Sequence, residues 1–358
     1  MSASALRLLL LSTPVGPLGS GLGGGVELTL MNLAQELQRR GHSLRVVAPE
    51  GSALAEIAIA PISGTLQPTA HTQGRQTPTV LPENPVLANM WDYARQVQDD
   101  YDLLVNFAYD WLPFYLMPFL RRPVAQFVSM GSLSGAMDAV ICRTAERFPS
   151  SVGVYTRTQA ETFPGVANFR ILSSAIDLVL YEFCDQPQDY LVWLGRISPE
   201  KGLEDAVEAA QRSQKRLKIL GKLENQAYWQ QIQQAYPAAP IDYLGFLPTA
   251  KLQAVLRQGQ ALLMTPRWVE AFGNVAIEAL ACGVPVIAYE RGGPAEIVQS
   301  GKTGWLVMPD SVDQLVAAIA QLGQLDRAAC RQQAEAEYSL SALGDRFEQW
   351  FQDILQQY

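Results

Sequence analysis

Two carboxylates in the segment EAFGNVAIE, Glu270 and Glu278, have the spacing and surroundings of a ligand site. The segment follows a short apolar run and leads into a helical pattern, which predicts a strand, a loop with the first carboxylate and a helix with the second near its start. The amides of Phe272, Gly273 and Asn274 at the helix start would face negative charge. A ligand with hydroxyls at both ends and an anion between them, such as a nucleotide sugar, suits this arrangement. Two solvated glutamates are the alternative.

Two cations, Arg196 and Lys201, stand in the segment GRISPEKG. It follows a predicted strand, 190–194, and precedes a predicted helix, 203–213. Both side chains are therefore expected at the carboxyl end of a strand, where they can stabilise a departing diphosphate without a metal. A pair of solvated surface cations is the alternative.

A glycine-rich loop, GPLGSGLGGG at 16–25, follows the first predicted strand. Its glycines let backbone amides approach a phosphate or a sugar, although a flexible loop has the same composition. Gly19, Gly21 and Gly24 also match the dinucleotide pattern GxGxxG, with Glu50 after the next strand as a ribose ligand. The match is weak, because a dinucleotide fold turns directly at the strand end and Gly19 lies several residues beyond it.

Three further segments have simpler interpretations. RGGPAE, 291–296, is a predicted strand-to-helix loop whose glycines could bring amides close to a phosphate, with Glu296 near a ribose or sugar hydroxyl. SGKTG, 300–304, is a turn rather than a phosphate loop, because a phosphate loop needs glycine where Glu296 stands. His42 is expected on an exposed helix-to-strand turn.

Composition limits the classes of function. The chain has 358 residues, of which 48% are apolar and 17% charged, and this length suggests two domains. Its four cysteines have no paired spacing and there are two histidines, so no metal site or disulfide framework is indicated. No cofactor is expected, and unpaired cysteines are typical of the cytoplasm.

Net charge and hydropathy indicate which classes of binding partner are disfavoured. The net charge is −8, and residues 1–185 contain 12 arginines and no lysine against 16 acidic residues. This balance disfavours nucleic acid and stable membrane association, since both need basic patches. No apolar run approaches the roughly 18 residues of a membrane helix, and LRLLLLS is interpreted as a first strand rather than a signal peptide. A small soluble ligand is favoured.

Strand and helix patterns alternate through both halves, which predicts two doubly wound parallel α/β domains. The expected boundaries are 1–170 and 171–339, and the amphipathic stretch 340–358 is expected to pack back on the first domain. Ligands of such sheets bind at the carboxyl ends of the strands, so a shared ligand is expected in a cleft between the domains.

The segments GRISPEKG, EAFGNVAIEALACGVPVIAYERGGPAEIV and GKTGWLV together resemble the C-terminal half of the family-four retaining glycosyltransferases. The resemblance covers roughly residues 165–320 strongly, with several separated motifs in the expected order. It implies a metal-independent GT-B enzyme whose second domain holds a nucleotide sugar and whose first holds the acceptor. It also implies front-face displacement, in which a donor phosphate oxygen helps to deprotonate the acceptor.

The resemblance also implies a role for each matching residue. Arg196 and Lys201 would hold the diphosphate, Glu270 would contact the transferred sugar, and Glu278 would bind the ribose hydroxyls. The backbone amides expected to line the sugar and phosphates are those of Gly24, Gly25, Phe272, Gly273 and Asn274.

One motif departs from the family. Many relatives have a His-Asp-Trp-like motif after a strand of the first domain, whereas this chain has Tyr109, Asp110 and Trp111. Tyrosine can bond a sugar hydroxyl but is a poor cation at neutral pH, which puts any imidazole role in doubt. Asp110 could orient the acceptor or cap a helix.

The N-terminal segment STPVGPLGSGLGGGVELTL is similar to the UDP-glucose:tetrahydrobiopterin glucosyltransferases. Flat or soft side chains suited to a pterin ring are Phe107, Tyr109, Trp111, Phe127 and Met130, although ordinary core packing explains most such residues. The sequence therefore favours a retaining hexosyltransferase that moves glucose from UDP-glucose to a reduced pterin.

Three alternatives remain open. The acceptor could be a sugar, a polysaccharide precursor or a lipid, and an anionic lipid fits the acidic first half worst. A dinucleotide-dependent oxidoreductase would use the GxGxxG loop and Glu50. The third alternative is a catalytically silent nucleotide-sugar binder.

Overall fold

The computed structural model describes residues 5–20, 24–70, 75, 82–165 and 168–358. The chain divides into two compact units. The first comprises residues 1–174 and 340–358, and the second comprises residues 175–339. The division falls four residues beyond the boundary expected from the sequence.

In the first unit, the described strands form one parallel sheet of seven strands in the order β3-β2-β1-β4-β5-β6-β7. The strands are β1 Arg7–Leu11, β2 Ser43–Pro49, β3 Ala58–Ile62, β4 Leu103–Asn106, β5 Val124–Val128, β6 Val152–Val154 and β7 Arg170–Ile171. The helices that alternate with them are α1 Gly25–Arg39, α2 Val86–Val97, α3 Trp111–Leu116, α4 Gly135–Arg147 and α5 Arg157–Ala160.

The central strands of this sheet are mostly apolar, as expected of parallel strands with both faces covered, although β4 contains Asn106 and β5 contains Gln126. Leu8 to Leu11 in β1 are all fully buried, as are the four residues of β4. Two strands do not appear among the sequence predictions. Strand β3 has Pro61 at the sheet edge, where a missing amide donor is tolerated, and β7 has only two residues.

The second unit repeats the plan with six described parallel strands in the order β10-β9-β8-β11-β12-β13. They are β8 Tyr190–Leu194, β9 Arg216–Leu220, β10 Ile241–Tyr243, β11 Leu262–Met264, β12 Val286–Tyr289 and β13 Gly304–Val307. The helices are α6 Leu203–Arg212, α7 Gln226–Ala235, α8 Thr249–Leu256, α9 Asn274–Ala281, α10 Gly293–Ile297, α11 Val312–Ala320 and α12 Arg327–Glu337. Two Rossmann-like parallel α/β domains are thus confirmed.

The strand order of the second sheet reverses between β8 and β11. From β8 the chain first builds outward through β9 to β10, and then returns to the other side of β8 with β11. The connections after these two strands diverge from the sheet, which leaves a crevice at their carboxyl ends. The loops with Arg196, Lys201 and Glu270 both begin at this switch point.

The last helix, α13 Leu340–Leu355, belongs to the first unit and packs on α1. Its aromatic residues Phe347, Trp350 and Phe351 are fully buried. The expectation that His42 lies on an exposed turn is wrong, because only 6% of this residue is exposed. Its Nδ1 accepts from the Leu6 amide at 3.0 Å, and its Nε2 lies 2.8 Å from a carboxylate oxygen of Glu348 in α13.

Candidate active site

The loop after β8 carries both predicted cations. Ile197 anchors it, since this side chain is fully buried and its amide donates to the Lys222 carbonyl oxygen at 2.9 Å. The Arg196 guanidinium lies 2.8 Å from a carboxylate oxygen of Glu224 and 3.2 Å from one of Glu200. About a quarter of its side chain is exposed, at 26%, so it remains accessible to an anion.

Lys201 lies beside the loop that follows β11, because the two backbones touch there. Gly202 has a φ of 61°, and a Cβ atom at this position would lie 2.1 Å from the carbonyl oxygen of Thr265. The Thr265 hydroxyl donates to the Gly202 carbonyl oxygen at 2.7 Å. Only glycine permits this close approach.

The ammonium of Lys201 is ion-paired with Oε2 of Glu270. Trp268 joins the pair, since its indole Nε1 donates to the same Oε2 at 3.0 Å and Lys201 Nζ lies 5.0 Å from the centre of its ring. Exposure is 19% for the side chain of Lys201 and 16% for that of Glu270. Two residues that the sequence assigned to different parts of a ligand thus contact each other directly.

The ion pair keeps Glu270 charged. Burial alone would raise the pKa of its carboxyl group, but attraction to Lys201 and the hydrogen bonds from Lys201 and Trp268 outweigh burial. Arg196 adds a weaker attraction, and the pKa falls below its usual value. Glu270 is therefore a hydrogen-bond acceptor at neutral pH.

The RGGPAE segment, residues 291–296, packs directly against the backbone of the Glu270 loop. A Cβ atom at Gly292 would lie 2.6 Å from the amide nitrogen of Glu270, and one at Gly293 would lie 2.2 Å from the carbonyl oxygen of Phe272. The Gly293 amide donates to the Glu270 carbonyl oxygen at 2.7 Å. These glycines therefore permit contact between two loops, and the Gly293 amide predicted to approach a phosphate is bonded to protein.

Helix α9 begins directly after the Glu270 loop. Its first turn follows Gly273, whose φ of 97° turns the chain into the helix, and no side chain caps this end within the described residues. Asn274 is the first helical residue, and its buried Oδ1 has no hydrogen-bond partner in the described part of the chain. Phe272 is buried, with its ring against Tyr338. The positive end of the helix thus lies next to Glu270.

Glu278 lies one turn into α9, on the same side as Asn274. Its Oε1 accepts from the Tyr181 hydroxyl at 3.1 Å. Burial raises the pKa of Glu278 to about 7, and the bond from Tyr181 offsets only part of this rise. At neutral pH its charge is therefore sensitive to a ligand that donates hydrogen bonds.

The second unit thus places two cations and one carboxylate in the loops after β8 and β11, and the second carboxylate in the helix that begins there, α9. Cations and helix amides suit a diphosphate, and the carboxylates suit hydroxyl groups on either side of it. The sequence did not identify Trp268 or Tyr181, which contact the two carboxylates. Trp268 has a visible signal, since it stands two residues before Glu270, whereas Tyr181 is distant in sequence.

The first unit carries the remaining predicted donor residues. Gly24, with a φ of 64°, precedes α1, and Gly25 is its first residue. Gly21 of the GxGxxG pattern lies outside the described residues. Glu50 is exposed and accepts from the Ser63 hydroxyl at 2.7 Å.

The residues predicted to bind the acceptor begin α3. The Tyr109 hydroxyl donates to the Gly131 carbonyl oxygen at 3.1 Å, and burial raises its pKa. Asp110 caps the helix by accepting from the Leu112 amide at 2.9 Å, and burial raises its pKa as well. Trp111 is 41% exposed and stacks on Tyr115 at 4.5 Å between ring centres. Of the three predicted residues, Trp111 presents most surface to a ligand.

The predicted pterin surface is wrong for two residues. Phe107 and Phe127 are fully buried and pack against each other, with ring centres 5.5 Å apart. Phe127 also contacts Phe347 of α13, a partner that is 220 positions away in sequence and therefore invisible to local patterns. Both rings belong to the core of the first unit.

Among the described residues, no group of three or more histidine, cysteine, aspartate or glutamate side chains could hold a metal ion. No helix formed by these residues combines the length and apolar character needed to cross a membrane.

Two family models match the chain. Residues 183–338 match the one described as Glycosyl transferases group 1, and residues 23–128 match the one described as Glycosyltransferase Family 4. The chain is 30% identical to glycogen synthase of Mycobacterium tuberculosis over 48% of its own length and 44% of that protein. It is 34% identical to a D-inositol 3-phosphate glycosyltransferase of Gordonia bronchialis over 40% of its length and 35% of that protein. It thus spans less than half of the length of these relatives.

Solved structures match nearly the whole chain. HepE of Anabaena in complex with UDP and glucose has a TM-score of 0.75 at 19% identity, over 97% of this chain and 100% of that one. Sucrose-phosphate synthase from Thermosynechococcus elongatus has a TM-score of 0.75 at 17% identity, over 99% and 100%. The avilamycin glycosyltransferase AviGT4 has a TM-score of 0.72 at 18% identity, over 99% of both chains. The fold is that of GT-B glycosyltransferases.

Proposed function

We propose that this chain, a GT-B protein whose two halves match glycosyltransferase families, transfers a sugar from a nucleotide sugar to a hydroxyl group of an acceptor. The observation that carries the proposal is the juxtaposition of Lys201, Glu270 and the N-terminus of α9 at the switch point of the second sheet. A cation and a helix dipole can stabilise the diphosphate that leaves, and a carboxylate can hold the sugar that is transferred.

For the donor we propose UDP-glucose. Arg196 and Lys201 bind the diphosphate, assisted by the amides of Phe272, Gly273 and Asn274. Glu278 accepts hydrogen bonds from the ribose, and Glu270 accepts one from the sugar. Support for UDP comes from the structurally similar HepE, which binds UDP and glucose.

Donor binding would add partners to Lys201. In the structure its ammonium contacts Glu270 and the Trp268 ring. A diphosphate supplies further negative oxygens, which Lys201 can bind while it retains Glu270, because an ammonium has three donors. Glu270 thereby orients the cation towards the diphosphate as well as contacting the sugar.

The reaction we propose proceeds with retention at the sugar carbon. The bond from this carbon to the diphosphate breaks, and the bond to the acceptor oxygen forms on the same face. The acceptor proton passes to a donor phosphate oxygen, and UDP leaves with the electron pair of the broken bond. Arg196 and Lys201 stabilise the negative charge that develops on the leaving diphosphate.

For the acceptor we propose a hydroxyl group of a saccharide or polyol, in preference to a reduced pterin. The names of similar proteins refer to glycogen, colanic acid biosynthesis and D-inositol 3-phosphate. The burial of Phe107 and Phe127 removes two of the rings offered for a pterin, and leaves the exposed face of Trp111. An exposed indole can bind the apolar face of a sugar or a pterin ring.

The test is release of UDP from a panel of nucleotide sugars, each with saccharide, polyol and reduced pterin acceptors. We expect acceptor-dependent release, with UDP-glucose the best donor. UDP release that depends on the pterin, and on none of the saccharides or polyols, would make the reduced pterin the favoured acceptor. No release of UDP from any donor would contradict the proposal. A parallel titration of NADH, followed by its fluorescence, tests the oxidoreductase alternative: saturable NADH binding without a response to UDP would support it.

A further inference from the structure

Trp268 contacts both members of the Lys201–Glu270 pair. Its indole Nε1 donates to Oε2 of Glu270 at 3.0 Å, and its ring centre lies 5.0 Å from Lys201 Nζ. The second contact is a cation–π interaction, which favours one position of the ammonium over others. A single side chain thus restrains a cation and a carboxylate together.

The two hydrogen bonds to Glu270 converge on one oxygen. Lys201 and Trp268 both donate to Oε2, and none of the described residues donates a hydrogen bond to Oε1. Two donors at one oxygen restrain the rotation of the carboxylate and leave the other oxygen available to accept from a ligand. Oε1 is then the acceptor that a sugar hydroxyl can reach.

Trp268 is itself held in place by the chain on its N-terminal side. Arg267 donates to carboxylate oxygens of Glu204 and Asp205 at 2.7 and 2.8 Å. Arg291 donates to the Pro266 carbonyl oxygen at 2.8 Å. These bonds tie the first residues of the loop to α6 and to the end of β12, so the indole projects from an anchored backbone.

We propose that Trp268 is a positioning residue: its N–H and its ring hold Glu270 and Lys201 so that Oε1 of Glu270 meets the transferred sugar. The proposal rests on the proposed function. It assigns to Trp268 no contact with the reacting atoms, and its effects therefore arise through Glu270 and Lys201.

Two substitutions separate the two contacts. Trp268→Phe keeps an aromatic ring under Lys201 but removes the N–H, whereas Trp268→Leu removes both. For Trp268→Phe we expect kcat to fall about tenfold while the Kd of UDP stays within about twofold, because UDP lacks the sugar that Glu270 holds. For Trp268→Leu we expect the same loss of kcat and, in addition, weaker UDP binding.

The pH profile provides a readout that simple loss of packing does not move. Without the indole N–H, the ionised form of Glu270 is less favoured, so the acid limb of the kcat/KM profile should shift to higher pH in Trp268→Phe. The matched control is Trp305→Phe in the same unit, since the buried Trp305 Nε1 has no hydrogen-bond partner among the described residues. Its pH profile should match that of the wild type.

A double-mutant cycle completes the test. If Trp268 acts through Glu270, adding Trp268→Phe to Glu270→Gln should lower kcat by less than twofold, against about tenfold in the wild-type background. Equal losses in both backgrounds, or wild-type kcat in Trp268→Phe, would overturn the positioning role. All variants are compared below their melting transitions, so early melting does not obscure the cycle. Failure of the proposed function has a separate signature, in which the wild type itself releases no UDP.

Discussion

Replacing Lys201 with alanine removes one of the two cations proposed for the diphosphate. The ammonium is 19% exposed, so its bonds to an anion are partly shielded from water. A charged hydrogen bond at such a site contributes about 1.5–3 kcal/mol, which corresponds to a roughly tenfold to 150-fold rise in Kd. Arg196 remains, so we expect weakened rather than abolished UDP binding. Turnover should fall as well, because the leaving charge is less stabilised.

Isothermal titration calorimetry with UDP measures this effect directly. The control is Lys215→Ala, which removes an ion pair with Asp189 on an exposed surface and should leave the Kd of UDP unchanged. Lys201→Ala also leaves Glu270 without its cation, so circular dichroism must show that the variant is folded at the titration temperature. A folded Lys201→Ala protein with the wild-type Kd and kcat would remove Lys201 from the site and refute the argument.

Three further substitutions test neighbouring parts of the site. Glu270→Gln should lower kcat for UDP release about tenfold to a hundredfold, and should affect the Kd of UDP far less; loss of UDP binding with normal turnover would contradict the role of Glu270. Burial raises the pKa of Glu278 to about 7, and we propose that its ionised form accepts hydrogen bonds from the ribose. Affinity for UDP-glucose should therefore rise up to about tenfold between about pH 6 and pH 8. Calorimetry should find no such rise in Glu278→Gln, and a flat wild-type profile would exclude this titration. Gly292→Ala should lower the free energy of unfolding in urea by about 1–3 kcal/mol and reduce kcat, because the added Cβ would clash with the Glu270 backbone. The control is Gly245→Ala, which tests backbone strain alone, since Gly245 has a φ of 74° and nothing lies within 4 Å of its Cβ position. Equal losses of kcat in both variants would show that the contact of Gly292 with the Glu270 loop does not matter for turnover.

Most of the fold follows from local patterns. Buried parallel strands are short apolar runs between helical patterns, and the six strands of the second unit appear where such runs occur. The elements that escaped prediction lack this signal, since β3 contains Pro61 and β7 has two residues. The burial of His42 depends on Glu348, 306 positions away, and so cannot be inferred from its neighbours.

The sequence predicts which loops carry the candidate site residues better than it predicts the contacts of these residues. Arg196, Lys201 and Glu270 were placed correctly at strand ends, because motif order indicates which loops follow which strands. The ion pair between Lys201 and Glu270 depends on the approach of Gly202 to Thr265 across two strands, which sequence spacing does not encode. For the same reason the contacts of Trp268 with Glu270 and Lys201 cannot be inferred from the sequence.

The most direct test of nucleotide-sugar binding is a crystal structure of the protein with UDP-glucose. We predict that diphosphate oxygens lie within hydrogen-bonding distance of Lys201 Nζ and of the amides at the start of α9, with the ribose on Glu278 and the sugar on Oε1 of Glu270. A nucleotide bound elsewhere, with its ribose on Glu50 or its phosphates away from Lys201, would contradict the account.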